Sequence, residues 1–306
     1  MVKLITTSVI LGSERGDSPG GVYVIDLEGQ DVHQVMEWNA TNSDRQGSGW
    51  DRGPRGIAVD GETVYIVASD ELFAFTPNFE LIGSWRNSYL MHANEMSIYE
   101  RNLYVTSAGY DSILAFDLDA KNFFWGLHVD LDRFNFNGST YDPLGDEGPI
   151  PLNKLHLNNV HNNDNGMYIS GLKSGGMLHF NGEAVNMSVT LPDGIRNARP
   201  YRDGVLFNDS EADALRYASR SGEEDRAVKV PKYDPADVEN EGTEDSQVAR
   251  QGFARGLCVI NDRIVAAGSS PATVSLYDLQ ESETLLSVNL SMDIRNAVHG
   301  LEVFPF

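Results

Sequence analysis

Short runs of β-branched and aromatic residues alternate with polar turns along the chain, and pairs of such runs recur six times. The pairs are residues 4–8 with 22–27, 64–68 with 72–75, 103–107 with 113–118, 167–170 with 177–180, 205–208 with 215–217, and 264–268 with 274–279. Runs of this composition, bounded by Gly, Asn, Asp and Ser, are typical of β-strands rather than helices. Their recurrence at intervals of about 40 to 60 residues indicates an array of similar units.

A third strand precedes each pair across a tight turn such as Asn165-Gly166, and a fourth strand follows it. Four antiparallel strands per repeat predict an all-β fold, a six-bladed β-propeller, which leaves only short sheet edges exposed. The first unit lacks its leading strand, but near the other end of the chain His299-Gly-Leu-Glu-Val matches Arg55-Gly-Ile-Ala-Val. The ring is therefore predicted to close by pairing of this C-terminal strand with the N-terminal strands, in a single domain of residues 1–306.

Two connections between blades are long. Residues 130–155 are rich in Asn, Gly, Pro and Asp, and residues 234–250 are strongly acidic. Loops of this length are usually functional or disordered. We therefore expect the first to be a candidate lid over the channel and the second to be a solvated loop.

The chain of 306 residues carries 45 acidic against 23 basic side chains, a formal net charge of −22. Nucleic acids and anionic membrane surfaces need a basic footprint, so neither is an expected partner. No run approaches the roughly 18 apolar residues of a membrane span and no export signal is visible, which predicts a cytoplasmic protein. The one cysteine, Cys258, lies in an apolar stretch and is expected in the core. The oligomeric state stays open.

A column of polar residues is predicted around the central channel. Counting back nine positions from the start of each second strand reaches a polar residue in five repeats, and motif matching adds one from the closing strand. These ring residues are Arg55, Asn94, Asn158, Arg196, Arg255 and His299. Two positions later, on the same side of a period-two strand, an apolar plug is expected. Its members are Ile57, Met96, Val160, Ala198, Leu257 and Leu301.

Three ring residues, Arg55, Arg196 and Arg255, are arginines that would repel one another unless an anion lies between them. Guanidinium groups recognise carboxylate, phosphate or sulfate in bidentate geometry, so a small anionic molecule is the expected substrate. Alternatively, each arginine binds carbonyl groups of a neighbouring blade or an acid such as Glu95 or Glu302.

Three histidines on inner strands, His92, His156 and His299, could meet as ligands of a divalent or transition metal ion such as Zn, Fe, Cu or Ca. His161 replaces His156 if the strand register differs. Such a metal would activate a water molecule or polarise a substrate oxygen. The alternative is that these histidines are structural and hydrogen-bonded within the channel.

Further catalytic candidates lie on the same face. Asn94 and Asn158 are expected to orient substrate or water, and the turn after the second strand of its repeat adds Asp209. The corresponding turns supply Asp111, Asn208 and Ser269 as weaker candidates.

The blade pattern resembles the six-bladed propeller superfamily that includes gluconolactonase and regucalcin, strictosidine synthase and the NHL-repeat proteins. Residues 197–209, 249–259 and 294–303 also resemble a bacterial propeller family to which no activity is attached. Gluconolactonase-like enzymes hold a divalent cation with Glu, Asn and Asp at the channel mouth. The resemblance implies that Asn94 and Asn158 take the place of the asparagine ligand and that Asp209 takes the place of the aspartate ligand. No glutamate matches cleanly, and the arginines and histidines depart from that pattern.

These observations lead to two principal hypotheses. The first is a metal-dependent enzyme, hydrolase- or lyase-like, that acts on a small anionic substrate at the channel mouth. The second is a non-catalytic propeller that binds an anionic ligand or a protein through the same face, without a metal. A scaffold that uses only its rim loops is a third possibility.

Overall fold

The computed structural model describes residues 2–13, 18–29, 31–38, 53–133, 135–240 and 250–306. Within these ranges the strands form six antiparallel sheets arranged as a ring, which confirms the predicted six-bladed β-propeller. Two short 3₁₀ helices, Ala108–Tyr110 and Pro235–Asp237, are the helical segments described. No helix in the described ranges has the length and apolar character needed to cross a membrane.

Each blade runs in chain order from its inner to its outer strand, except that the inner strand of blade 1 comes last. Blade 1 contains β1 (Lys3–Ile10), β2 (Gly20–Asp26), β3 (Asp31–Glu37) and the inner strand β25 (Asn296–Phe304). Blade 2 contains β4 (Ile57–Asp60), β5 (Thr63–Ala68), β6 (Glu71–Phe75) and β7 (Leu81–Arg86). Blade 3 contains β8 (Met96–Tyr99), β9 (Asn102–Ser107), β10 (Ser112–Asp117), β11 (Asn122–Asp132) and β12 (Asn135–Tyr141).

The remaining blades have four strands each. Blade 4 contains β13 (Leu157–Asn163), β14 (Gly166–Gly171), β15 (Gly176–Phe180) and β16 (Val185–Thr190). Blade 5 contains β17 (Ile195–Tyr201), β18 (Gly204–Asp209), β19 (Ala214–Ser219) and β20 (Asp225–Lys229). Blade 6 contains β21 (Arg255–Val259), β22 (Ile264–Ser269), β23 (Thr273–Asp278) and β24 (Glu283–Asn289).

The ring closes through blade 1, as predicted. Strand β25 pairs antiparallel with β1, from Lys3 opposite Phe304 to Ile10 opposite Asn296. The hydroxyl of Thr6 donates to the Gly300 carbonyl at 2.8 Å, and the Gly300 amide donates to the Thr7 hydroxyl at 2.8 Å. The closing strand is therefore held by side chains as well as by the backbone ladder.

The segment 130–155 differs from the expected loop. Strand β11 continues to Asp132, and β12 pairs with it from Asp132 opposite Asn135 to Gly126 opposite Tyr141, as a fifth strand. Gly138 lies so close to the side chain of Val185 on β16 that a Cβ there would come within 2.7 Å of it. This fifth strand therefore packs on the outer strand of blade 4, and only residues 142–155 are left as a connection. In 234–250, residues 241–249 lie outside the described residues.

The apolar core lies between the blades. Six clusters of buried side chains each join residues from two adjacent blades. The six residues expected to form a plug in the channel lie one in each of these clusters. That prediction is wrong because propeller sheets pack face to face, so an inner strand alternates its side chains between the two neighbouring blades. The edge of each inner strand, and not either of its faces, borders the channel.

Candidate functional site

A cavity lies where the inner strands begin, at the mouth of the channel. Its volume is about 210 Å³, including its opening to solvent. It is lined by Asn94, Glu95, Asn158, Arg196, Asn197, Arg255, Gly256 and His299. Five of the six predicted ring residues are in this set, and the sixth, Arg55, is bonded to one of its members. The enclosed part of this space is close to the size of one water molecule, so a larger ligand would extend into the opening.

Glycine follows the ring residue in three blades because the inner strands approach one another closely there. A Cβ at Gly56 would lie 2.8 Å from the Asn94 carbonyl oxygen, and one at Gly300 would lie 2.4 Å from that of Arg55. Gly256 has φ +71°, a conformation that favours glycine, and a Cβ there would lie 2.8 Å from the His299 carbonyl oxygen. The Arg-Gly and His-Gly pairs of the sequence motif thus bring the backbones together around the axis.

Arg255 and His299 form a bonded pair in the cavity wall. Arg255 Nη1 donates to His299 Nε2 at 2.9 Å, and both side chains are buried. Burial holds the pKa of His299 well below its usual value, and Arg255, Arg55 and Arg196 lower the pKa further. His299 is therefore neutral at pH 7, and the three guanidinium groups lie near enough to act on it together.

An aromatic platform that the sequence reasoning missed supports these arginines. The guanidinium of Arg255 lies 4.1 Å from the ring centroid of Phe253, and that of Arg196 lies 5.6 Å from it on a different blade. Cations are attracted to the face of an aromatic ring at such distances. Phe253 stands two positions before Arg255, as His92 and His156 stand two before their ring residues, so the same spacing could have identified it.

Asn94 positions an arginine. Its Oδ1 accepts from Arg55 Nη1 at 2.8 Å, while its Nδ2 donates to the His92 carbonyl oxygen at 2.9 Å. Both ends of the amide are engaged, which fixes its orientation. Asn94 therefore aligns Arg55 beside the cavity.

Arg196 is a partly exposed arginine of the cavity wall. No carboxylate of the described residues is in ion-pair contact with it, and its Nε is buried without a hydrogen-bond partner. Burial lowers the pKa of Arg196 to about 10, and Arg55 acts in the same direction whereas Glu95 opposes it. The side chain stays charged at pH 7, so the cavity wall presents a guanidinium whose charge is not neutralised by a bonded acid.

Glu95 is a cavity residue that sequence reasoning proposed only as an arginine partner. One of its oxygens accepts from Asn197 Nδ2 at 2.7 Å, and Asn208 Nδ2 donates in turn to Asn197 Oδ1 at 3.0 Å. Burial raises the pKa of Glu95 to about 8, although Arg199 and the bond from Asn197 act against it. The carboxyl group is thus mostly protonated at pH 7. Asn208, one of the weaker catalytic candidates, is thus part of this chain of hydrogen bonds.

The predicted three-histidine metal site is not formed. In the part of the chain that the structure describes, no three His, Cys, Asp or Glu side chains converge as metal ligands. His299 is bonded to Arg255, and His156 Nδ1 is 3.0 Å from Asn153 Oδ1. The arginines that make these histidines hard to protonate would repel a metal cation for the same reason.

The individual histidines have other surroundings. His92 is exposed at the rim, with φ +53°. Burial lowers the pKa of His156 to about 4, and Arg196, Arg55 and His92 contribute. The alternate, His161, has its pKa lowered to about 3 by burial and then by Arg199. His161 is not among the residues that line the cavity.

Asp209 is not among the residues that line this cavity, and its catalytic role stays a prediction. Its Oδ1 accepts from the Ala212 amide at 2.8 Å and its Oδ2 from Arg216 Nη1 at 3.2 Å, within blade 5. Asp111, a weaker candidate, likewise has a structural role because its carboxylate accepts from the amides of Lys154, Leu155 and His156. Both carboxylates are thus engaged by turns and connections of the propeller.

Solved structures with low sequence identity share the fold. A chain in the crystal structure of a nidogen/laminin complex has a TM-score of 0.59 and 10% identity, over 99% of this chain and 98% of that one. A protein of unknown function from Bacteroides caccae has a TM-score of 0.59 and 10% identity, over 100% and 99%. No protein-family model and no curated protein matches the chain. These likenesses show the propeller fold alone, and the gluconolactonase and NHL resemblance is not confirmed beyond it.

Proposed function

We propose that this propeller binds a small anion at the mouth of its channel, without a metal. The observation that carries the proposal is the approach of Arg55, Arg196 and Arg255 to one cavity in which Arg196 has no bonded carboxylate. Three like charges held together in a buried wall repel one another, and an anion between them relieves that repulsion. Guanidinium forks also supply the paired donors that carboxylate and phosphate oxygens accept.

One neighbour of the arginines supports the same proposal. Glu95 is mostly protonated at pH 7, so it does not add a full negative charge to the cavity, and the neutral His299 adds no charge of either sign. The surface as a whole is strongly acidic, with a net charge of −22, so the cavity is a local exception to the field around it. The proposal does not include a metal-dependent reaction, because His92, His156 and His299 do not converge in the described part of the chain.

The experiment is isothermal titration of the purified chain at low ionic strength with inorganic phosphate, sulfate and acetate in turn. We expect at least one of these anions to bind, and the variant Arg196→Leu to bind it about 30-fold or more weakly, as when a charge-assisted bond is lost. Arg101→Ala is the matched control, because Arg101 is exposed and paired with Asp60 and Asp119. Equal affinity in both variants, or no binding of any anion to the wild-type chain, would refute the proposal.

A further inference from the structure

The cavity wall contains a hydrogen-bond acceptor with no partner. Asn158 is 2% exposed, and its Nδ2 donates to the Ile195 carbonyl oxygen at 3.1 Å. Its Oδ1 is buried and accepts no hydrogen bond. The amide cannot be reversed to remove the problem, because Oδ1 would then face a carbonyl oxygen. Because Asn158 lines the cavity, a donor for this buried oxygen would have to come from the cavity side.

The same cavity also contains the carboxyl group of Glu95. One of its oxygens is engaged by Asn197, and the residue lines the cavity together with Asn158 and Arg196. The wall therefore contains guanidinium groups that can only donate and the Asn158 Oδ1 that can only accept, whereas the protonated carboxyl group of Glu95 can do both. An anion without a proton of its own satisfies the guanidinium groups but presents only lone pairs to Asn158 Oδ1.

Sulfate and chloride are such anions at pH 7, since they carry no hydrogen. Hydrogen phosphate and small hydroxycarboxylates carry both a negative charge and an O–H group. An O–H donor directed at Asn158 Oδ1 would satisfy an acceptor that is otherwise left buried and unpaired, a situation that proteins avoid. Sites built to bond a ligand hydroxyl reject the analogue that lacks it for this reason.

We propose that the site selects a small oxyanion that carries its own hydroxyl group, with Asn158 as the residue that determines this selectivity. The inference rests on the proposed anion binding, which it narrows to one chemical class. Hydrogen phosphate and a 2-hydroxycarboxylate share the recognised chemistry, and the test separates them.

The test compares two pairs of anions that differ in the presence of an O–H group: inorganic phosphate against sulfate, and glycolate against acetate. Titrations are made at pH 7 and low ionic strength. Phosphate should bind about tenfold or more tightly than sulfate if the ligand carries an inorganic phosphate group, and glycolate should exceed acetate by a similar factor if it is a hydroxycarboxylate. No preference in either pair would overturn the inference while leaving anion binding intact.

Asn158→Ala and Asn159→Ala form a matched pair of variants. Asn159 is 3% exposed on the same strand and donates to the Ala198 carbonyl oxygen at 2.7 Å, but it does not line the cavity. Both variants lose one bond to blade 5. We expect only Asn158→Ala to reduce the affinity ratio to near one, and a preserved ratio in that variant would overturn the assignment to Asn158. If Asn158→Ala does not fold, the two wild-type comparisons still decide the selectivity.

Discussion

The two halves of the channel mouth are built on different principles. In blades 6, 1 and 2 the residue after the ring residue is glycine, and the backbones of adjacent inner strands come into contact. In blades 3, 4 and 5 the same position is held by Glu95, Asn159 and Asn197, whose side chains make bonds across the channel or to the next blade. The glycine half therefore fixes the ring by close approach, whereas the polar half supplies the acceptors and the open space of the cavity.

The largest effect is expected where the glycine half is broken. In Gly300→Ala, the new Cβ would lie 2.4 Å from the Arg55 carbonyl oxygen and 2.8 Å from the Ile57 amide nitrogen, and neither is a flexible group. We expect the free energy of unfolding to fall by about 3 kcal/mol, as for other overpacked sites. Chemical denaturation measures it. Gly145→Ala is the control, since its nearest neighbour would be the Asp142 carbonyl oxygen at 3.5 Å, and an equal loss in both variants would contradict the close-approach interpretation.

The polar half predicts a loss of stability as pH rises. Burial raises the pKa of Glu95 from 4.5 to about 8, so between these values the folded chain keeps a proton that the unfolded chain has released. The proton on Glu95 therefore stabilises the folded state most at pH values below about 4.5, and this stabilisation is lost as the pH rises to about 8. We expect the free energy of unfolding to fall by on the order of a few kcal/mol across the window in the wild-type chain, and by less in Glu95→Gln. Parallel pH curves for the two chains would show that Glu95 is not the group responsible.

The glycine half predicts the opposite dependence at acidic pH. Burial and Arg255 hold the pKa of His299 below 6.5, so the unfolded chain binds a proton that the folded chain does not. The contribution of His299 to the free energy of unfolding is therefore complete above pH 6.5 and is lost as the pH falls below that value. His299→Gln keeps an acceptor for Arg255 and should weaken this loss of stability at acidic pH, which chemical denaturation at several pH values measures. The exposed His33 provides the control variant His33→Gln, which should keep the wild-type slope.

The smallest effect concerns the contact that joins the two halves. Phe253→Leu keeps an apolar side chain but removes the ring that faces Arg255 on one blade and Arg196 on another. Anion affinity should fall about threefold, in line with roughly 0.5–1 kcal/mol for a cation–π contact. Titration with the best-binding anion measures it. An affinity unchanged from the wild type would mean that the ring does not position the guanidinium groups.

The fold could be predicted from the sequence because each blade repeats the same strand and turn pattern. The ring arginines, asparagines and His299 were also found, since their positions follow from the repeat. The prediction of an apolar plug is wrong because a period-two pattern separates the two faces of a strand but does not say which part of the protein each face contacts. Spacing places His92, His156 and His299 near one level without fixing how far each side chain reaches, and in the described part of the chain they do not converge. Glu95 was overlooked as a wall residue because it stands where three other blades have glycine.

The closing strand has a consequence for how this protein is made. His299 reaches the cavity from β25, which is synthesised after every other strand of the ring. A chain in which β25 has not yet paired therefore lacks part of the proposed binding site, however well its other blades have formed. An anion bound at the proposed site would favour the closed ring over any state in which β25 is detached, because only the closed ring brings all three arginines together with His299. Ligand occupancy should thus slow the detachment of the last strand, which hydrogen exchange at β1 and β25 would report.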